Sequence, residues 1–373
     1  MANIFDYLAW RGDIDFSVSP FNPVDNVIFS QLAYLAFDDI VSGPEDRDGI
    51  SIDLAARIYN EKLNNPHGRN FTPMFKEDPD LLLALASSKR FRNCQLFAFV
   101  NHINTDREIQ FSALCIYIGD GSCYIAFRGT DASVIGWKED FNMSFKEVIP
   151  SQLEAVEYLE KMAPMINGHL RVGGHSKGGN LAIYASSFCN KKIQQRITEV
   201  YNNDAPGFHK KVISSDGFNE IKNRIRFYVP QSSIIGMFFE HGSDYTVIKS
   251  NETGIMQHSL YSWEVTHNNL VHVENVTITS RFVNKTLQDW IGVLDNSQRE
   301  QFIEALYSIL SDADIKSFED LEKTWFASAG RMIKSLSSTD ETTRKLLMET
   351  FGKLFLSARR NIDSFFKQEQ QNE

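Results

Sequence analysis

The sequence predicts an α/β fold: a mostly parallel sheet flanked by helices, with a helical appendage at the C-terminus. Three observations lead there. From His169 to Lys249, short apolar strand patterns alternate with helical ones, which is how parallel strands joined by crossover helices read. Before them, CQLFAFVNHI, EIQFSALCIYIG and SCYIAFRGT are rich in aromatic and β-branched residues and broken by polar turns such as Gly119-Asp120-Gly121-Ser122, the pattern of an antiparallel meander entering a sheet. Between the two, RVGGHSKGGNLAIYA sets a serine among glycines where a strand pattern gives way to a helical one.

The elements follow in order. Asn26 to Phe37 has helical apolar spacing after a turn marked by Pro20 and Pro23, and helices are expected again at Ile52 to Leu63 and Asp78 to Ser87, separated by the polar loop NNPHGRNFTP. After the meander come a helix at Ser151 to Met162, a strand at His169 to Val172, a helix at Gly178 to Phe188 and a strand at Ile197 to Asn202. Phe208 to Ile221 carries helical turns, and Arg224 to Val229 and Tyr245 to Lys249 read as strands. Past Trp263 amphipathic helices follow, near Asn284 to Val293, Ser297 to Leu310, Ser317 to Leu336 and Glu341 to Phe366. We place a sheet domain at residues 1–280, with an N-terminal helical segment at 20–90, and a helical region at 281–373. The Phe and Leu stripes of that region read as packing faces, and its polar faces mix both signs of charge, which argues against peripheral membrane contact.

Composition narrows the function classes. A chain of 373 residues that is 42% hydrophobic buries one large core or two modest ones. Its formal net charge of -10 supplies no overall positive field for nucleic acid or an anionic membrane. The start, MANIFDYLAWRGDIDF, carries acidic residues and does not read as a secretory signal, and no apolar run approaches the roughly 20 residues that span a bilayer. A cytoplasmic location is the expectation. Cys94, Cys115, Cys123 and Cys189 form no CxxC pair and sit in apolar stretches, as buried reduced thiols do. No HExxH, paired CxxC or DxDxDG pattern is present, so neither a metal nor a cofactor is implied.

Ser176 is the focus of the functional reading. A nucleophile elbow needs a strand leading in, glycines two residues either side of the serine and a helix leading out, and His169 to Val172, Gly174, Gly178 and NLAIYASSF supply them. The hydroxyl then stands at the carboxyl end of the sheet beside a helix N-terminus, where negative charge is favoured. A phosphate loop is excluded by spacing, because no GxxxxGK[ST] occurs and Lys177 follows the serine.

With the elbow in place, YIAFRGTD (Tyr124 to Asp131) resembles the strand and loop of class-three lipases that supply one side of the oxyanion hole. LAWRGDIDF, VDNVIFSQLAYLAFDD, AFRGTD, GWKEDFNMSF, GGHSKGGNLAIYA, NNDAPGF, VPQSSIIGM and QHSLYSWEV together resemble a family of bacterial domains of unknown function, distant relatives of those lipases. The likeness runs from about Asp6 to Val265. It implies an α/β-hydrolase fold without implying a substrate. It also implies roles: Ser176 as nucleophile, Thr130 at the oxyanion hole with the Lys177 amide as second donor, and the base in the IMQHSLYSWEV segment.

In this fold the acid and then the histidine follow the serine. Five histidines qualify by order: His209, His241, His258, His267 and His272. His258, past the last sheet strand, is preferred and His241 is the runner-up; THNNLVHVE, with His267 and His272, alternates like a strand. The acid is less direct, because the loop after RIRFYV has no Asp or Glu before Glu240, whereas the lipases carry their carboxylate there. Asp204, in YNNDAPGF, is the substitute, with Asp244 second and an acid-free Ser-His dyad third; a turn-forming role for Asp204 is the competing explanation. His175 and Lys177 are expected to pack beneath or beside the turn with no proton transfer, and Asp140 to fix the oxyanion loop or pair with Lys138. The leading function is a serine hydrolase cleaving an ester or thioester of an acyl or lipid-like small molecule through an acyl-enzyme. The aromatic-rich N-terminal helices are then expected to roof its pocket. The alternative is a catalytically weak or inactive hydrolase-fold protein that binds or scaffolds, its C-terminal helices recruiting a partner.

Overall fold

The structure, a computed structural model, describes the chain except positions 47, 65–72, 105–108, 131–138, 140–141, 144–145, 313–340 and 373. It divides into two compact units. The first comprises Met1–Ile103, Phe111–Gly129 and Pro150–Val276, and the second Asn104–Gln110, Thr130–Ile149 and Thr277–Glu373.

An eight-stranded sheet, in the order of the sequence, forms the first unit's centre: β1 (Ile50–Ser51), β2 (Gln95–Asn104), β3 (Ile109–Tyr117), β4 (Cys123–Phe127), β5 (Leu170–His175), β6 (Ile197–Asn203), β7 (Ile225–Pro230) and β8 (Thr246–Ile248). β1 with β2 and β3 with β4 are antiparallel, and β4 to β8 run parallel. The parallel half is where helices intervene between strands, as crossover geometry demands. This is the α/β-hydrolase-like architecture the sequence predicts.

Helices cover both faces, and strand alternation decides which residue meets which layer. On one face α2 (Pro23–Leu32) lies against Tyr124 of β4, whose ring is 5.6 Å from Phe29. On the other, Phe127, three residues along β4, meets Tyr158 of α5 (Pro150–Met162) at 6.0 Å. α1 (Ile4–Arg11), α3 (Ile52–Leu63) and α4 (Asp78–Ser87) join α2 in one apolar core with the sheet. The helix expected at Asn26 to Phe37 begins earlier, because Asn22 caps it in a reciprocal capping box with Asp25 and Pro23 supplies its first turn, and it ends at Leu32, where the chain passes into a turn. α3 and α4 span the residues expected. All four cysteines are buried and free.

In the second unit, Ile278–Gly292, Asn296–Asp312 and Glu341–Asn372 are helical. They share a small core of their own: Trp290 meets Phe302 edge-on at 5.4 Å, Phe302 meets Phe351 at 5.4 Å, and the Trp290 indole donates to the Thr350 carbonyl. The helix expected at Ser317 to Leu336 lies outside the described residues. Among the described residues no helix is long and apolar enough to cross a membrane.

Candidate active site

β5 delivers the chain to Ser176 and α6 (Lys177–Phe188) carries it away. Ser176 sits between them at φ 55° and ψ -135°, a conformation a residue with a Cβ adopts only at a cost of about 1–3 kcal/mol. The flanking glycines make the bend possible by close approach. A Cβ on Gly174 falls 2.4 Å from the Gly178 carbonyl carbon, and one on Gly178 falls 2.1 Å from the Phe127 carbonyl oxygen. Any larger residue forces β4, β5 and α6 apart. The Ser176 amide donates to the Asn203 carbonyl at 2.9 Å, pinning the turn to the end of β6, while the side chain keeps partial access to solvent.

Beneath the bend lies a buried polar network. Asn203 donates to the Gly174 carbonyl and to Ser30, exchanges hydrogen bonds with Asn26, and the Tyr124 hydroxyl donates to Asn26 while meeting Ser30 at 2.8 Å. Four side chains from α2, β4 and β6 thus satisfy one another in the core, and such closed networks hold a single geometry. The VDNVIFSQ motif is in this sense a support for the elbow.

Asp204 follows β6 directly, also at positive φ (56°), with its amide donating to the Tyr228 carbonyl. Its carboxylate is 1% exposed. One oxygen, Oδ1, accepts from the Ser233 hydroxyl and from the Gly236 amide at 3.1 Å, and the other, Oδ2, accepts from His258 Nδ1 at 2.6 Å. A carboxylate only accepts, so Nδ1 of His258 carries the proton and Nε2 is the basic nitrogen. The His258 side chain is 24% exposed, at the rim of the structure where Asp204 is enclosed.

The base stands beside the elbow. The His258 ring centroid is 4.3 Å from that of His175, the residue before Ser176, and His175 Nε2 donates to the His258 carbonyl at 2.7 Å. Burial, and then the nearness of His258, hold the His175 imidazole well below its ordinary range, so it is neutral.

The other expected residues fall as follows. Lys177 opens α6 with its side chain buried. Thr130 follows Gly129 directly in the chain, is half-buried and groups with the second unit. Asp244 is exposed, and the acid at His258 Nδ1 is Asp204. His241 packs its ring 4.6 Å from Phe227 of β7. His267 lies in the turn of a small hairpin, Val265–Thr266 with Asn269–Leu270, and His272 bridges to Ile248. Asp131, Lys138 and Asp140 lie outside the described residues; Arg128 donates to Asn101 at 3.0 Å. Among the described residues no three His, Cys, Asp or Glu side chains group as metal ligands do. Sequence reasoning did not find Ser233, Gly236, Tyr34 or the reach of His175. VPQSSIIGM, read as lacking an acid, turns out to hold the acid that follows β6, through Ser233 and Gly236.

Comparison with known proteins adds a family and a likeness of fold. The Mbeg1-like family model matches residues 85–308, more than half of the chain. No curated protein matches it. Among solved structures it is similar to M37 lipase, at 16% identity and a TM-score of 0.35, covering 57% of this chain and 69% of that one. It is also similar to Rhizomucor miehei lipase propeptide complexes. A deletion mutant matches at 15% identity, TM-score 0.37, covering 58% and 77%, and the native form at 14%, TM-score 0.36, covering 66% and 80%.

Proposed function

The chain belongs to the Mbeg1-like family, and from its site geometry we propose that it is a serine hydrolase acting on a carboxylic ester or thioester, with Ser176, His258 and Asp204 as triad. One observation carries this reading: a half-buried histidine, hydrogen-bonded at 2.6 Å to an enclosed carboxylate, has its ring 4.3 Å from that of His175, the residue before a serine held at positive φ between a strand and a helix. A purely structural serine has no need of that strain, and a purely structural Asp-His pair has no need of that neighbour.

In the proposed reaction His258 Nε2 takes the Ser176 hydroxyl proton as Oγ attacks the acyl carbon. The carbonyl π pair moves onto oxygen. The Lys177 amide, at the positive end of α6, receives that charge, such a donor being worth about 2.7–4 kcal/mol in the barrier. The intermediate collapses, the carbon–oxygen or carbon–sulfur bond breaks, and His258 returns its proton to the leaving alkoxide or thiolate. Water then attacks the acyl-serine with His258 again as base, releasing the acid and restoring the hydroxyl. Asp204 keeps its charge throughout, holding the tautomer and stabilising the imidazolium. The substrate, which donates the acyl group, is a small acyl ester or lipid-like molecule on this reading, and water is the acceptor.

Labelling with a fluorophosphonate, in which Ser176 Oγ bonds phosphorus and fluoride leaves, tests it. The expected result is one adduct on Ser176, absent in Ser176→Ala, with turnover of a p-nitrophenyl ester series. Folded wild-type protein that takes no adduct and turns over none of the series leaves the binding or scaffold alternative standing instead.

A further inference from the structure

Resting on the hydrolase reading, we propose that Tyr34 and His175 form a positioning pair whose task is to set the main chain of the base: Tyr34 donates to His175 Nδ1, and His175 Nε2 in turn donates to the carbonyl of His258.

The directions of these bonds follow from donor arithmetic. A backbone carbonyl only accepts, so the His175 nitrogen 2.7 Å from it, Nε2, carries the proton. The ring is neutral and has one N–H, so Nδ1 is an acceptor. The group 2.9 Å from Nδ1 is the Tyr34 hydroxyl, which therefore points its one proton chiefly there, the His175 carbonyl oxygen at 3.3 Å being its longer, secondary acceptor. Tyr34 thus selects the tautomer that His175 needs, as Asp204 selects that of His258.

The backbone around His258 shows why its carbonyl matters. In the segment from Gly254 to Trp263, the carbonyls of neighbouring residues are taken up within the loop itself. Ser259 donates its amide to Met256, the Trp263 indole donates to Gln257, and the Ser262 hydroxyl and amide donate to Ser259. The carbonyl of His258 is instead bonded to the elbow. The base loop, closed on itself, is tied to the nucleophile's turn through the residue that carries the base. Since His175 is covalently next to Ser176, this bond gauges the distance between base and nucleophile along a very short lever. The Asp204 bond orients the ring, and the His175 bond fixes where the ring is attached.

Tyr34 comes from the turn after α2 and is placed by contacts of its own. Its ring lies 5.4 Å from Phe75 and 5.7 Å from His175. A Cβ on Gly129 falls 2.2 Å from its hydroxyl oxygen, 2.6 Å from the His175 carbonyl oxygen and 3.0 Å from Ser176 Cβ. The glycine of AFRGTD therefore gives the hydroxyl the space it occupies beside the elbow. A neutral His175 has a second use: when His258 becomes a cation during acylation, the ring 4.3 Å away brings no like charge.

The test compares wild type, His175→Phe, His175→Gln and Tyr34→Phe for fluorophosphonate labelling rate and for kcat and KM on p-nitrophenyl butyrate, with thermal melting alongside. A misplacement of about 1 Å costs roughly 100-fold. His175→Phe is therefore expected to lose about 100-fold in labelling rate and kcat with KM changed less than about twofold. His175→Gln, whose amide N–H reaches the same carbonyl, is expected to recover about tenfold of that, and Tyr34→Phe to lose about tenfold. Equal rates for His175→Phe and His175→Gln overturn the proposal, because His175 then only fills space. Wild-type rates in Tyr34→Phe overturn it independently, and decide the matter if His175→Phe does not fold. Absence of labelling in the wild type overturns the hydrolase reading and this inference together, whereas labelled wild type with indifferent variants overturns this inference alone.

Discussion

Two enclosed carboxylates in the first unit, Asp25 and Asp204, have been given opposite partners. Asp25, 0% exposed, accepts from Arg90 at both oxygens, from the Tyr7 hydroxyl and from the Asn22 amide. The remaining Arg90 donors go to the carbonyls of Ile14, Ser19 and Pro20, and the guanidinium lies 3.8 Å over the Phe16 ring. Nothing is left over: all five guanidinium donors are used, and an arginine does not release a proton in a protein. Asp204 is as well enclosed, but its third donor is an imidazole that reaches the rim and keeps a basic nitrogen. Burial alone therefore does not mark a carboxylate as functional. The partner does, according to whether it has a proton-accepting atom to spare.

Replacing each carboxylate's essential feature should separate the two sites. Asp204→Asn keeps the shape but presents the wrong hydrogen to His258 and removes the charge that stabilises its cation. We expect kcat to fall by about 10,000-fold, near 5.5 kcal/mol in the barrier, with the melting temperature little changed. A loss under tenfold would mean that Asp204 is as structural as Asp25. The mirror experiment is Arg90→Met. It strands a buried charge and is expected to cost about 3–5 kcal/mol in urea unfolding, while activity per folded molecule stays within about twofold of wild type. A drop in activity of the folded fraction would erase the distinction.

A histidine without a carboxylate sharpens the contrast. The half-buried His241 lies with its ring against Phe227, its buried Nε2 has no hydrogen-bond partner among the described residues, and burial pushes its pKa down to about 4. Its folded value thus lies below the ordinary 6.5, so between pH 6.5 and 4 the unfolded chain binds more protons. Stability is then complete above about pH 6.5 and is lost as pH falls toward 4, by on the order of 3 kcal/mol for this residue. His241→Leu is expected to flatten that acid limb in chemical-denaturation curves taken across the window, leaving the part that belongs to buried His175. An unchanged limb would show that His241 titrates normally.

How much of this was legible in the sequence depends on the distance over which each feature is encoded. The elbow is local. Gly174, Ser176 and Gly178 lie within five positions, and strand and helix periodicities flank them, so the bend and its strain were readable from a single window. α3 and α4 were readable for the same reason. Asp204 was within reach because its turn is written in adjacent residues, though the loop after β7 pointed away from it. That loop instead supplies Ser233 and Gly236, 29 and 32 positions beyond Asp204, and no local pattern records a donor aimed at another strand's carboxylate. Tyr34 and His175 are 141 positions apart, and Tyr261 and Asp78, whose hydrogen bond pins the base loop to α4, are 183 apart. Such pairs are set by how the sheet stacks its loops. The fold class needs only periodicity, whereas the site needs tertiary contact.

The smallest expected effect probes how the carboxylate is aimed. Ser233 and the Gly236 amide both occupy Oδ1 of Asp204, which leaves Oδ2 turned to His258. Asp25 needs no such aid, because a bidentate guanidinium defines the plane of its carboxylate by itself. A single imidazole N–H contacts one oxygen and leaves the carboxylate free to rotate about χ2, so the orientation must come from elsewhere. Ser233→Ala removes one of two donors on Oδ1 and leaves the Gly236 amide. A hydrogen bond to a charged group contributes about 1.5 kcal/mol, so kcat is expected to fall roughly tenfold with KM unchanged. Kinetics of the variant on a p-nitrophenyl ester, beside its melting curve, provide the measurement. If kcat holds while stability drops, the serine secures only the loop, and the difference between the two carboxylates must then reside in the histidine alone.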